Sequence, residues 1–111
     1  MLAEDVALGV PPYWQKLHGR PIAVHLLGLI VNTIDGFTYH RKWRNGRELA
    51  LEFTGRVGEF ELQGIDLITL DEAGRLSNLD VMIRPINALE ALMKHVRPRM
   101  LAFLEGQASP G

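Results

Sequence analysis

The chain has no cysteine among its 111 residues, which excludes disulfide frameworks and thiolate metal sites and makes a reducing cytoplasm the expected setting. It has no excess of either charge: 12 Lys and Arg stand against 13 Asp and Glu, a formal net charge of −1. That balance gives no electrostatic footing for nucleic acid or for an anionic membrane surface. No apolar run reaches the roughly 18–20 residues that span a bilayer. Met1-Leu2-Ala3-Glu4-Asp5 lacks the basic start and apolar core of a signal peptide. His18, His25, His40 and His95 are scattered without ligand spacing, so no metal site is expected. Internal repeats and low-complexity stretches are missing too. What is present is 47% hydrophobic residues, enough for one core in one domain spanning 1–111, with 106–111 expected as a flexible tail.

The apolar pattern predicts a helix followed by a run of strands. Asp5 to Val10 reads as a short strand stopped by Pro11-Pro12, and Tyr13 to Gly19 as a polar, aromatic loop. Arg20-Pro21 opens a helix with proline near its first position, where the missing N–H costs nothing. Ile22, Val24, Leu26, Leu27, Ile30 and Val31 make it apolar nearly all round, so it is expected to be buried, and Asp35-Gly36 ends it. The period then changes to two. Phe37, Tyr39, Arg41 and Trp43 alternate with Thr38, His40, Lys42 and Arg44, and Asn45-Gly46 makes a hairpin turn. The return strand sets Leu49, Leu51, Phe53 and Val57 against Glu48, Glu52, Thr54 and Arg56. Turns at Gly58-Glu59 and Asp71-Glu72-Ala73-Gly74 frame a third strand, and Arg75 to Arg84 is a fourth. Pro85 stops the sheet. Asn87 is placed to cap a helix with an apolar stripe of Leu89, Leu92, Met93 and Val96, which Pro98 is expected to break or kink. The expected fold is α+β: an antiparallel meander, curved where Gly55 and Gly64 mark bends, wrapped around a helix, with a C-terminal helix.

One residue violates this pattern. Asp66, in Phe60-Glu61-Leu62-Gln63-Gly64-Ile65-Asp66-Leu67-Ile68-Thr69-Leu70, shares a strand face with Phe60, Leu62, Ile68 and Leu70. A carboxylate aimed into an apolar layer is costly unless paired or neutralised. It implies a partner, a ligand or a reaction.

The stretch Gly64-Ile65-Asp66-Leu67-Ile68-Thr69-Leu70-Asp71-Glu72-Ala73-Gly74-Arg75-Leu76 resembles the penultimate hairpin of the SnoaL-like branch of the nuclear-transport-factor-2-like superfamily. Leu17-His18-Gly19-Arg20-Pro21-Ile22 is similar to the loop entering that family's long helix, and Val81-Met82-Ile83-Arg84-Pro85 also resembles members of this branch. Leu2-Ala3-Glu4-Asp5-Val6 resembles the end of the family's second helix running into the first strand, so the usual N-terminal helix pair is expected to be missing. The resemblance implies a cone: a strongly bent sheet closing over helices, with a ligand cavity at the wide end. The face the missing helices leave is expected to be covered by a second copy in a homodimer, the arrangement common in this superfamily, with the C-terminal segment Pro98 to Leu104 or a mis-set start as the alternatives.

In the ketosteroid-isomerase-like members the position matching Asp66 holds a protonated acid that donates to a developing oxyanion. Their base would fall within Gly9-Val10-Pro11, where no carboxylate stands. Epoxide-hydrolase-like members carry arginine where Gly64 stands, and a second aspartate at Val81. Neither mechanism transfers whole. The expected function is therefore binding of a small apolar ligand in a pocket, with cofactor-free isomerase, hydrolase or cyclase chemistry as its catalytic form. Asp66 would be the acid, His25 or Tyr13 its partner, and Tyr13, Trp14, Tyr39 and Met82 would contact the ligand. Each has a plainer reading: Asp66 as a paired buried acid, His25 as a satisfied core histidine, the aromatics as core or dimer contacts. The competing function is a non-catalytic binding or dimerisation module whose pocket is filled by its own side chains.

Overall fold

Gly46-Arg47 is the two-residue loop of a hairpin closed by the Asn45–Glu48 pair, with Gly46 at φ 63°, where a Cβ is disfavoured. It joins β3 (Asp35–Asn45) to β4 (Glu48–Val57), and the meander continues through β5 (Phe60–Leu70) and β6 (Leu76–Arg84). The computed structural model describes residues 1–11 and 13–108, the backbone alone for 107 and 108. Before the meander come β1 (Leu2–Gly9), a two-residue β2 (Leu17–His18) and α1 (Arg20–Thr33); after it comes α2 (Ile86–Ala108). The sheet order is β2-β1-β6-β5-β4-β3. All neighbours are antiparallel except β1, which joins β6 in parallel, so the curved sheet is mixed. Among the described residues no helix is long and apolar enough to cross a membrane.

The register divides the sheet into two faces. Tyr39↔Phe53↔Gly64↔Ile83 is one row, and Leu51↔Asp66↔Val81 is the next row on the same, helix-covered face. Both helices pack there, and the core combines Val6 and Leu8 of β1, Leu26 and Ile30 of α1, Phe53, Leu62 and Val81, and Leu92 and Val96 of α2. Burying a side chain of this size contributes about 1.5–3 kcal/mol.

Four expectations need correction. Leu2–Val6 belongs to β1 and is extended, not the end of a helix. Its Ala3, Val6 and Leu8 are buried, the last two in the core shared with the helices, while Glu4 and Asp5 are exposed. α1 is not buried all round: Ala23, Leu26 and Ile30 are in the core, but Val24 and Val31 are about half exposed. A single sheet and a single companion helix can cover only one side of it.

The third correction concerns β3. Tyr39 pairs with Phe53 but Lys42 pairs with Leu51, three residues against two, which is a bulge at His40-Arg41. Arg41 and Trp43 therefore turn to the outer face, away from Phe37 and Tyr39.

The fourth is a break at Pro98: α2 runs on through the proline to Ala108. Its buried stripe is Ala88, Leu92, Val96 and Met100, spaced by four, and it continues past the proline. One lost backbone hydrogen bond does not outweigh that packing. The helix begins at Ile86, where the Pro85 carbonyl accepts from Leu89 N–H at 3.1 Å; Asn87 is already inside it, with Oδ1 accepting from Ala88 N–H. Residues 106–108 are helical, and the rest of the expected tail lies outside the described residues, as does Pro12.

Candidate functional site

Asp66 is where the strand pattern puts it, on the helix-covered face between Leu51 and Val81, and it is 8% exposed. Along β4 and β5 its surroundings change. Leu62, Gly64 and Phe53 are buried, whereas Leu49, Leu51 and Ile68 are only half-buried. The carboxyl thus sits at the border between the packed part of the face and its open end.

The partner is Tyr39, whose hydroxyl donates to Asp66 Oδ2 at 2.9 Å. The tyrosine ring is held edge-on to Phe37 (5.0 Å between centroids) and to Phe53 (6.3 Å), and those two rings stack at 4.8 Å. Gly64 makes the reach possible. The Phe53 ring lies over it, and a Cβ there would overlap both that ring and the Met82 carbonyl. An arginine at this position, as in the epoxide-hydrolase-like pattern, has no room.

Burial pushes the Asp66 carboxyl above its ordinary pKa, and the Tyr39 hydrogen bond draws it partly back. The Tyr39 hydroxyl is raised too, first by burial and then by the neighbouring carboxylate. With Oδ2 occupied by Tyr39, Oδ1 has no hydrogen bond among the described residues. A protonated Asp66 backed by tyrosine can donate to a ligand oxygen; ionised, it can accept a proton.

The other anticipated residues fall elsewhere. His25 stacks on Phe103 in the seam between the helices, centroids 4.0 Å apart and planes 12° from parallel, so its contact is with α2 and not Asp66. Tyr13, Trp14 and Met82 line an open groove of about 1120 Å³ beyond the end of β1, with the Lys16–Asp80 ion pair (3.3 Å) on its floor. Tyr13 also borders an apolar cavity of about 310 Å³ between α1 and α2. Neither space is lined by Asp66. Of the six anticipated residues, Asp66 and Tyr39 are joined by a hydrogen bond, while Tyr13, Trp14 and Met82 share a groove away from them.

Glu52 was not anticipated. It lies on the outer face yet is 6% exposed, because the β3 bulge drops Arg41 onto it. Arg41 Nε and Nη2 donate to its two oxygens at 2.6 and 3.1 Å, and Gln63 Nε2 donates at 2.5 Å. Arg84 Nη1 in turn donates to Gln63 Oε1 at 2.7 Å. These hydrogen bonds, Arg41's foremost, hold the Glu52 carboxyl down at about 2. The signal in the sequence was weak, since a glutamate alternating with leucines reads as an ordinary solvated position. Among the described residues, no three His, Asp or Glu side chains gather as a metal-ligand set.

No family sequence model matches the chain, and no curated protein does. Solved structures do. A steroid delta-isomerase from Pseudomonas aeruginosa is 35% identical at a TM-score of 0.86, over 94% of this chain and 77% of that one. A bacterial protein with a cystatin-like fold from Silicibacter pomeroyi is 37% identical at 0.85, over 88% and 70%. A nuclear-transport-factor-2-like protein from Cytophaga hutchinsonii shares the fold at 15% identity and a TM-score of 0.59, over 79% and 73%. With the mixed curved sheet, the long helix under it and identity above one third over most of both chains, this chain belongs to the nuclear-transport-factor-2-like superfamily.

Proposed function

We propose that the chain binds a small, mostly apolar molecule at the open end of the helix-covered sheet face and that Asp66, backed by Tyr39, is the acid that polarises one of its oxygens. The observation that carries this reading is the 2.9 Å Tyr39–Asp66 hydrogen bond at a carboxyl whose pKa burial raises. Half-buried Leu49, Leu51 and Ile68 supply apolar contact beside it. The likeness to a steroid delta-isomerase supports a ring ketone as substrate class, with the acid donating to the enolate oxygen as it develops. Ligand and any chemistry are cofactor-free on this reading. The base in such a reaction is not supplied at Gly9-Val10-Pro11, so it must come from elsewhere or from the substrate.

The test is a thermal-shift and turnover screen of steroid enones and of phenols as oxyanion mimics, run on the wild type, Asp66→Asn and Tyr39→Phe. A stabilising shift that weakens in both variants is the expected result. Loss of an acid would reduce turnover by about 10²–10⁴. A screen in which no compound shifts the wild type, or in which the shifts ignore Asp66→Asn, sinks the proposal.

A second reading, an assembly module, draws on the outer face. Trp43, Ala50 and Leu67 form one cross-strand row there, Met82 lies diagonally beside it, and Trp43, Leu67 and Met82 are 48%, 38% and 57% exposed. On this reading two copies pair through that face. Solution mass decides it: a monomer at micromolar concentration, or a dimer untouched by Trp43→Glu, rules it out.

A further inference from the structure

We infer that the cavity between α1 and α2 is a second binding site, for amphipathic anions: molecules with a compact apolar body and a carboxylate-like head. It is separate from the Asp66–Tyr39 pair and does not depend on the role given to that pair. At about 310 Å³ it has room for about ten non-hydrogen atoms at the volume a water occupies in the liquid, the low end of small-molecule pockets. Its walls are aliphatic, with Leu26 and Ile30 from α1 facing Val96, Met100 and Leu104 from α2. Its charge is one-sided. Lys16 and Arg97 are both in the lining, and among the described residues no acidic side chain is.

The two cations are available in different ways. Arg97 lies over the Tyr13 ring, 5.7 Å from the centroid, and among the described residues it enters no ion pair. A guanidinium braced on an aromatic face keeps its forked donors free for a carboxylate. Lys16 donates to Asn78 Oδ1 at 2.6 Å and pairs with Asp80 at 3.3 Å, both exposed contacts of the kind that hold weakly, so it adds positive charge at the rim while Arg97 is the cation free to take the head. An aliphatic chamber with a cationic mouth and no anion favours a negative head over a neutral or positive one.

The probes are nonanoate, 1-nonanol and nonylammonium below their aggregation limits, titrated into the full chain with methyl-resolved NMR and calorimetry. Nonanoate should bind with the Leu26, Ile30 and Met100 methyls shifting, about tenfold more tightly than the alcohol, and the cation should not bind. Arg97→Gln should remove most of the acid's advantage and leave the alcohol unchanged. Leu104→Trp should fill the chamber and abolish both. Because Arg97 is exposed, its substitution keeps the test decisive should Leu104→Trp fail to fold. Equal binding of acid and alcohol, an acid preference that survives Arg97→Gln, or shifts confined to the Leu51 and Ile68 methyls beside Asp66 would each overturn the inference.

Discussion

The hydroxyl of Tyr39 on β3 meets the carboxylate of Asp66 on β5 at 2.9 Å, reaching across the intervening strand β4. Gly64 and the stacked rings of Phe37 and Phe53 make that reach possible, one by leaving space and the others by fixing the tyrosine ring.

Replacing Tyr39 by Phe removes the donor that draws the Asp66 pKa down, so the carboxyl should titrate at still higher pH. Stability should fall by about 1–3 kcal/mol where Asp66 is ionised, the usual consequence of an abandoned buried acceptor. Carboxyl-resolved NMR titration of wild type and variant checks the first effect, and urea unfolding the second.

Asp66 itself gives the fold an unusual pH dependence. Its folded pKa lies above the unfolded one, so the stability from the protonated form is complete below the unfolded value and is lost as pH rises through the folded value. Asp66→Asn should therefore gain stability relative to the wild type as pH is raised from acid to neutral. Unfolding curves across that range test the sign, and a variant that loses ground on going to neutral pH contradicts it.

Glu52 behaves in the opposite sense. Its carboxyl is held at about 2, so its contribution is present above the unfolded carboxylate range and disappears as pH falls from about 4.5 towards 2. Glu52→Gln should flatten the acid limb of the stability curve and leave Arg41 without its forked partner. The measurement is urea unfolding at a series of acid pH values, where stability should fall less steeply in the variant.

Gly64→Ala places a methyl group where the Phe53 ring and the Met82 carbonyl already stand. Overpacking of this kind costs about 1–3 kcal/mol. The displaced ring should also loosen Tyr39, so the near-ultraviolet signal of the aromatic cluster should weaken along with the denaturation midpoint.

Pro98→Ala restores the backbone N–H that α2 lacks in mid-helix. It should stabilise the protein by about 1–3 kcal/mol, with a higher melting temperature and unchanged ligand binding at Asp66. A destabilised variant would mean that the proline ring packs as part of the helix surface.

Much of this architecture was legible in local patterning. The period of two through Leu49–Val57, the β3–β4 hairpin and the Arg20-Pro21 start each depend on residues a few positions apart and stand in the structure, with the hairpin loop one position on from Asn45-Gly46, at Gly46-Arg47. Asp66 was legible too, because strand alternation alone sets its face. Other features depended on partners distant in sequence. The bulge at His40-Arg41 shows only against β4, and from it follow the outward turn of Trp43 and the burial of Glu52. His25 sits on an apolar helix whose inner face could not be chosen until α2 was placed, and its ring went to Phe103.

The sequence by itself determined the element types, the meander and the presence of an acid on an apolar face, because these follow from side-chain periodicity and turn chemistry. Only the tertiary structure decided which group answers that acid, where the cavities lie and which half of α1 stays exposed. Register between strands and the packing of α2 bring together residues 27 to more than 60 positions apart, and no local pattern encodes those distances.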